Sequence, residues 1–367
     1  MSPSLDELSF SRRYHPVMDD PEQQLHIPSR LMSRAGIRGW LIPLGLILVL
    51  FSNVVALFLP FLDIEVVLKG SSEYKLPESV KLMWETGLYW VAILIVCFSI
   101  IFPLAKTIFL LITWFLKLRP DRRKGFIRLL ETLGKWSMLD VFVVILLMVL
   151  SNEQLFLSTT PRIGLTFFIF AIIGNMIMSR IVATVDDRIH PEPDAMSNDK
   201  KQFMPMDSTG GLGWTLPLLL VVSLLSIVVA TGLPFLKIND ILLHSNSYSI
   251  MEATMALWDN ERIVLGVFLF LFVVAMPVVR ILLIGNMWFS KKTRAAHYKQ
   301  MDLVRISGEW SMMSVFLLAL VMILTEGRQL VNTKITSGLY AIMISTAVCV
   351  VSLWIARWLL NSRTKQY

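Results

Sequence analysis

The sequence predicts an all-α integral membrane protein in which eight transmembrane helices form two tandem, parallel four-helix units. Three observations predict it. The 367 residues are 55% hydrophobic and only 17% charged, against about 45–50% apolar and about 25% charged in soluble globular chains. Eight apolar runs approach or exceed the roughly 20 helical residues that a hydrocarbon core of about 30 Å requires. The chain also matches itself at a fixed offset of 174 residues. So much apolar surface excludes a soluble two-domain enzyme and an intrinsically disordered chain.

In chain order the runs are Trp40–Leu59, Leu88–Leu116, Trp136–Ser151, Ile163–Val182, Trp214–Leu233, Ile263–Phe289, Trp310–Leu324 and Ser337–Leu360. Trp136–Ser151 and Trp310–Leu324 are short, but charge brackets each at both ends. Two runs exceed the hydrocarbon thickness and are expected to tilt or project beyond it. The organisation that follows is an N-terminal tail (1–38), a first unit (39–183), a linker carrying Pro191 and Pro193 (184–213), a second unit (214–360) and a C-terminal tail (361–367). The first 38 residues contain no apolar stretch of signal-peptide length, so the first span is expected to be an uncleaved anchor whose leading edge is held by Arg30, Arg34 and Arg38.

Orientation follows from the loops. Lys117–Lys135 carries seven Lys or Arg against two acids, and Ser290–Glu309 five against two. Phe61–Gly87 has three basic residues against five acidic ones, and Phe235–Glu261 one against four. Eight spans with both termini in the cytoplasm satisfy every asymmetry. The net charge of +7 is then a topology signal, and no nucleic-acid partner is expected.

The repeat runs without a gap over about 105 positions. Pro60-Phe61-Leu62 maps onto Pro234-Phe235-Leu236, Trp84 onto Trp258, Pro103 onto Pro277, Lys106 onto Arg280, and Trp114-Phe115 onto Trp288-Phe289. Gly134 and Trp136-Ser137-Met138 map onto Gly308 and Trp310-Ser311-Met312, Val141-Phe142 onto Val315-Phe316, and Gly164-Leu165 onto Gly338-Leu339. Chance apolar similarity matches Leu and Val, not Trp, Pro and Gly at one offset. Four spans per unit, an even number, make the repeats parallel rather than inverted. After its first span each unit has an outward loop of about 27 residues that alternates apolar and polar positions (Ile64, Val66, Leu68; Ile238, Asp240, Leu242), the period of a small β-like cap.

Ionisable side chains inside a bilayer cost roughly 2.5–3.5 kcal/mol each on insertion scales and usually face the protein interior or a water-filled cavity. Lys106 and Asp140 lie about 16 Å and about 8 Å along their helices from the nearest flanking charges, at 1.5 Å per residue. Asn175 has a similar depth on the fourth span. Ser99, Pro103 and Lys106 share one helix face, as do Ser137 and Asp140. Pro103 frees a backbone carbonyl in mid-membrane, which needs polar neighbours or water. The expected cluster is Ser99, Lys106, Ser137, Asp140 and Asn175, centred on a Lys106–Asp140 ion pair. Such a pair either fixes helix register or marks a proton or substrate pathway, and snorkelling by Lys106 is a further structural reading. The second unit keeps Pro277, Arg280 and Ser311 but has Ser314 for Asp140 and Glu309 for Lys135. Arginine does not deprotonate near neutral pH, so proton exchange is expected in the first unit.

Other chemistries find no support. Cys97 and Cys349 lie inside apolar runs and no CxxC occurs, so neither a disulfide framework nor a thiolate zinc site is expected. All five histidines lie in tails or loops, which leaves no haem ligand pair within the bundle, and no phosphate-binding GxxxxGK[ST] loop is present. No metal, no cofactor and no enzymatic activity are expected. Trp40, Trp136, Trp214 and Trp310 stand at span edges and read as interfacial anchors.

With the repeat and the stretch Gly134-Lys135-Trp136-Ser137-Met138-Leu139-Asp140-Val141-Phe142 in view, the chain resembles the paraquat-inducible protein A family over nearly all of residues 35–360. Within that family it is most similar to the inner-membrane lipid-transport subunits that partner lipophilic-envelope-spanning tunnels in Gram-negative bacteria. The resemblance implies tetraspanin-like four-helix units and a place in the bacterial inner membrane. It implies a periplasmic MCE-domain partner forming a hexameric tunnel, and phospholipid loaded or received at its base. It would also assign Ser99, Lys106, Ser137 and Asp140 to a polar cluster open to proton coupling. The absence of the CxxC zinc-ribbon modules common in the family is a departure. Two other readings use the same residues: a stand-alone proton-coupled transporter of a small solute, and a passive scaffold that seats a periplasmic assembly.

Overall fold

The computed structural model describes residues 37–66, 70–87, 89–116, 120–151, 157–189, 202–208, 213–239, 245–259, 262–326 and 333–364. The tail up to residue 36 (with Arg30 and Arg34), the linker residues Pro191 and Pro193, the loop positions Leu68, Asp240 and Leu242, and residues 365–367 lie outside them.

A backbone amide in hydrocarbon has only its own chain to bond with, so the apolar runs become helices. The first unit comprises α1 (Leu41–Phe58), β1 (Leu62–Val66), β2 (Gly70–Tyr74), α2 (Leu76–Glu85), α3 (Tyr89–Ile95), a π-helical turn (Val96–Ile101), α4 (Phe102–Phe115), α5 (Pro120–Gly134), a 3-10 turn (Lys135–Met138), α6 (Leu139–Ser151), β3 (Leu157–Pro161) and α7 (Ile163–Ile189). Between the units lie β4 (Gln202–Phe203) and α8 (Pro205–Ser208). The second unit repeats the order with α9 (Thr215–Gly232), β5 (Leu236–Asn239), β6 (Ser245–Tyr248), α10 (Ile250–Asp259), α11 (Ile263–Phe270), a π-helical turn (Leu271–Ala275), α12 (Met276–Phe289), β7 (Lys292–Thr293), α13 (Arg294–Trp310), α14 (Met313–Glu326), β8 (Thr333–Ile335) and α15 (Ser337–Thr364).

Among the described residues eight helical runs are long and apolar enough to cross a membrane: Leu41–Phe58, Ala92–Phe115, Arg122–Val149, Ile163–Arg188, Thr215–Gly232, Ile263–Phe289, Lys299–Leu324 and Ser337–Ala356. The protein is therefore a multi-pass membrane protein built from two tandem units. The third and seventh spans begin well before Trp136 and Trp310, where the sequence places their starts. Much of the two stretches expected as basic loops is helix, α5 and α13. The reason is visible on α5, where Arg123, Ile127 and Leu130, at i, i+4 and i+7, are buried. The two apolar residues pack with Leu46, Leu110, Trp114, Val182 and Ala183, and Arg123 forms a fully buried ion pair with Asp186 of α7.

The third span of each unit is central. Three quarters of its window is buried in the first unit, against a third for the first span. Repeat-equivalent Phe142 of α6 and Phe316 of α14 meet edge to face at 5.9 Å, so the pseudo-symmetric joint runs between these helices. Phe268 and Phe235 extend the aromatic contact to either side.

Each unit carries a three-stranded antiparallel sheet at one end, ordered β2-β1-β3 and β6-β5-β8. Leu62 pairs with Tyr74 and Pro161, and Leu236 with Tyr248 and Ile335. The repeated Pro-Phe-Leu and Gly-Leu elements explain each other here. The Gly164 amide donates to the Pro60 carbonyl at 3.0 Å, and that of Gly338 to Pro234 at 2.9 Å. A Cβ on either glycine would come within 2.5 Å and 2.3 Å of those carbonyl oxygens. Asp63 of β1 pairs with Arg162 beside the same contact. Arg262 of the second unit donates to the Thr159 carbonyl of the first unit's sheet at 2.7 Å, which joins the units at this sheet end. The opposite, basic end carries α5 and α13.

Candidate functional site

The polar residues singled out in the sequence are all inward-facing, but they do not form one cluster. In both units a π-helical turn stands immediately before the proline, Val96–Ile101 before Pro103 and Leu271–Ala275 before Pro277. A proline ring clashes with the carbonyl one turn back, and a wider turn relieves the crowding. In the second unit the Phe272 carbonyl within this turn accepts from the Met312 amide at 3.0 Å, just where α13 gives way to α14 at Ser311. Ser314, one turn further on, is half-buried like Ser311.

In the first unit the carbonyl that draws polar neighbours is that of Pro103 itself. It accepts from Asn175 Nδ2 at 3.2 Å and from Thr107 Oγ1 at 2.9 Å, and Thr107 Oγ1 lies 2.9 Å from Asn175 Oδ1. Asn175 thus crosslinks α7 to α4 and belongs to the packing of one unit. Ser137 bonds back to the Gly134 carbonyl at 2.7 Å and serves the 3-10 turn. Ser99 is the polar side chain turned to the Asp140 carboxylate. Both residues are buried, and Ser99 Oγ and Asp140 Oδ2 complete no hydrogen bond among the described residues.

The Lys106–Asp140 ion pair is not formed. Lys106, 2% exposed, lies against Gly134, where a Cβ would sit 2.5 Å from its Nζ. Asp140 lies a further six residues along the chain, about 9–11 Å through the 3-10 turn into α6, so the two head groups stand at different depths. The acids that bear on Lys106 are instead Glu309 of the second unit and Glu131 of the first.

Those two glutamates are the centre of the larger site. Glu131 of α5 and Glu309 of α13 act on each other across the joint, and Arg180 and Arg305 bear on both. Arg180 of α7 pairs with Asp302 of α13 and lies 3.9 Å from Glu131. Arg305 pairs with Asp302 at 2.7 Å. Equivalent geometry recurs on the other side of the axis. Arg280 lies against Gly308, where a Cβ would come within 2.6 Å of its guanidinium, and it bears on Lys135. The paired glycines at 134 and 308 therefore make room for one cation each.

Sequence reasoning missed Glu131, Arg180, Asp302 and Arg305, and it assigned Glu309 only as a counterpart of Lys135. One signal could have found them. Arg128, Glu131 and Lys135 fall at i, i+3 and i+7, one helix face, and their repeat partners are Asp302, Arg305 and Glu309. Every charge on that face changes sign between the units. Among the described residues no group of three His, Cys, Asp or Glu is placed to hold a metal ion.

A model of the paraquat-inducible protein A family matches residues 43–186 and again residues 214–363. Each match covers one four-helix unit, and together they take in most of the chain. The chain belongs to the paraquat-inducible protein A family. No curated protein and no solved structure matches it. In this member of the paraquat-inducible protein A family, the joint between the two matched segments gathers buried Lys106 and Glu131 with half-buried Arg180, Asp302, Arg305 and Glu309. Such a layer can change its charge balance by one proton and thereby alter how the units pack.

Proposed function

We propose that this protein is the inner-membrane component of an intermembrane phospholipid transport system and not an enzyme. It loads or receives lipid at the base of a periplasmic tunnel formed by an MCE-domain protein. Family membership supports a membrane role, and the basic residues of α5 and α13 favour a cytoplasmic location for that end by the positive-inside rule. The paired sheets then face the periplasm and supply the platform for a partner.

One observation carries the reading: buried and half-buried ionisable residues join two membrane-embedded units. Charge inside a bilayer is costly and is characteristically functional. Protonation among Lys106, Glu131 and Glu309 biases the units between two packings, so that proton movement and lipid movement are coupled. The test is a gentle-detergent pull-down of the full chain with analysis of bound proteins and lipids. Recovery of an MCE-domain protein and phospholipid is expected, and recovery of neither contradicts the reading. Lys106→Ala at normal protein level is expected to lower lipid delivery several-fold. Full delivery by that variant removes the charge layer from the mechanism.

A further inference from the structure

A groove of about 370 Å³ opens on the flank of the molecule where α7 of the first unit meets Trp310 of the second. Two stripes run side by side along α7. Ile177, Ile181 and Val185 form an apolar one, and Arg180, Thr184 and Arg188 a polar one, each at four-residue spacing. From Ile177 to Arg188 the groove extends about 16 Å along the helix at 1.5 Å per residue, over the last part of the apolar span Ile163–Arg188. Trp310 forms a fixed wall, because its ring stacks on Phe272 with centroids 5.6 Å apart and planes 18° apart.

The charges at the two ends of the polar stripe differ in availability. Arg180 is committed to Asp302 and Glu131. Arg188 is exposed at the last turn of its span and has no ion-pair partner among the described residues. Its neighbour Asp187 is turned to Lys124 and Arg305. A lone arginine at the rim of an apolar trough matches an amphiphile with an anionic head and an acyl tail.

We propose that this groove binds one phospholipid, with its phosphate on Arg188 and an acyl chain along Ile177, Ile181 and Val185. The site deepens the lipid-transport reading and rests on it for its role. Because Arg180 lines the wall and also belongs to the ion layer, an occupant touches the joint between the units directly. The repeat supplies an internal contrast. At the equivalent positions of α15, Arg180, Thr184 and Arg188 become Trp354, Trp358 and Ser362, so the basic stripe is absent from the second unit.

The experiment uses the full chain reconstituted in phosphatidylcholine vesicles with a trace of radiolabelled phosphatidylglycerol. A photoreactive residue is placed at position 177 or at its repeat equivalent, 351, both of which are exposed to lipid. Labelling is expected to be several-fold stronger at 177. It is expected to fall to the level of 351 when Arg188→Glu removes the cation, and also when Ile181→Trp fills the trough. Arg188 is exposed, so its replacement leaves the fold intact. Equal labelling at the two positions, or labelling at 177 that survives Arg188→Glu, overturns the site and identifies bulk boundary lipid. Either outcome alongside intact lipid delivery leaves the transport reading standing. Strong, Arg188-dependent labelling at 177 in a chain that delivers no phospholipid to a tunnel partner refutes that reading and keeps the site.

Discussion

The two units share a backbone plan but solve the same problems with different chemistry. Where the first unit crosslinks α4 to α7 through Thr107, Asn175 and the Pro103 carbonyl, the second has Ile281 and Cys349 at the equivalent positions. Where the first carries a buried lysine, the second carries arginine. The first passes from α5 to α6 through a 3-10 turn, while the second breaks its helix at Ser311 and hands the Met312 amide to Phe272. The widest divergence is on α5 and α13, whose shared face inverts all three charges. Two identical faces meeting at a two-fold axis would oppose like charges. Inversion lets Glu131 oppose its repeat equivalent, Arg305. The comparison teaches that these halves are built to pair with each other and not with copies of themselves, with charge as the specifying element.

The largest expected difference between the units concerns the Arg123–Asp186 tether. Both groups are buried, and removing one member of a buried pair costs about 3–5 kcal/mol because the other charge is left uncompensated. Arg123→Leu is therefore expected to lower the detergent-solubilised protein's thermal stability severely. The equivalent His297→Leu in the second unit is expected to cost much less. Comparable melting temperatures for the two variants would show that the tether is not specific to the first unit.

Much of the frame was legible in the sequence. Hydropathy gave eight spans, and the repeat of Trp, Pro and Gly at one offset gave the tandem units, because those residues mark steric requirements that tolerate no substitute. The site was only partly legible. Burial of Ser99, Lys106, Asp140 and Asn175 follows from their polarity inside apolar runs. Which acid faces Lys106 does not, since it depends on how far the lysine stem reaches and on contacts across the joint. Glu131, Asp302 and Arg305 lie in stretches whose mean polarity reads as loop, so their inward face was hidden by the solvated one. Trp136 and Trp310 show the same limit. Expected at span edges, they lie inside spans that start at Arg122 and Lys299, and their rings pack on Phe98 and Phe272, while Trp40 and Trp214 are exposed.

A second, smaller effect separates two kinds of paired glycine. At Gly164 and Gly338 an added Cβ meets backbone carbonyls, which cannot give way without moving the sheet. Alanine there is expected to cost about 1–3 kcal/mol, the usual penalty for overpacking, in both units alike. At Gly134 the obstructing atom is the end of the flexible Lys106 side chain, so Gly134→Ala is expected to be milder for stability while displacing the lysine from Glu309. Thermal unfolding of the three variants checks the ranking, and a Gly134→Ala protein less stable than Gly164→Ala contradicts it.

The pairing of unlike charges across the joint is tested most directly by a double-mutant cycle at Glu131 and Arg305, read as thermal unfolding of the full chain. Each single reversal, Glu131→Arg or Arg305→Glu, places like charges together and is expected to destabilise the protein. The double reversal is expected to recover part of that loss, with a coupling of about 0.5–3 kcal/mol as found for residues sharing one network. If the two effects simply add, the inverted faces do not recognise each other and the units are held by their apolar contacts alone.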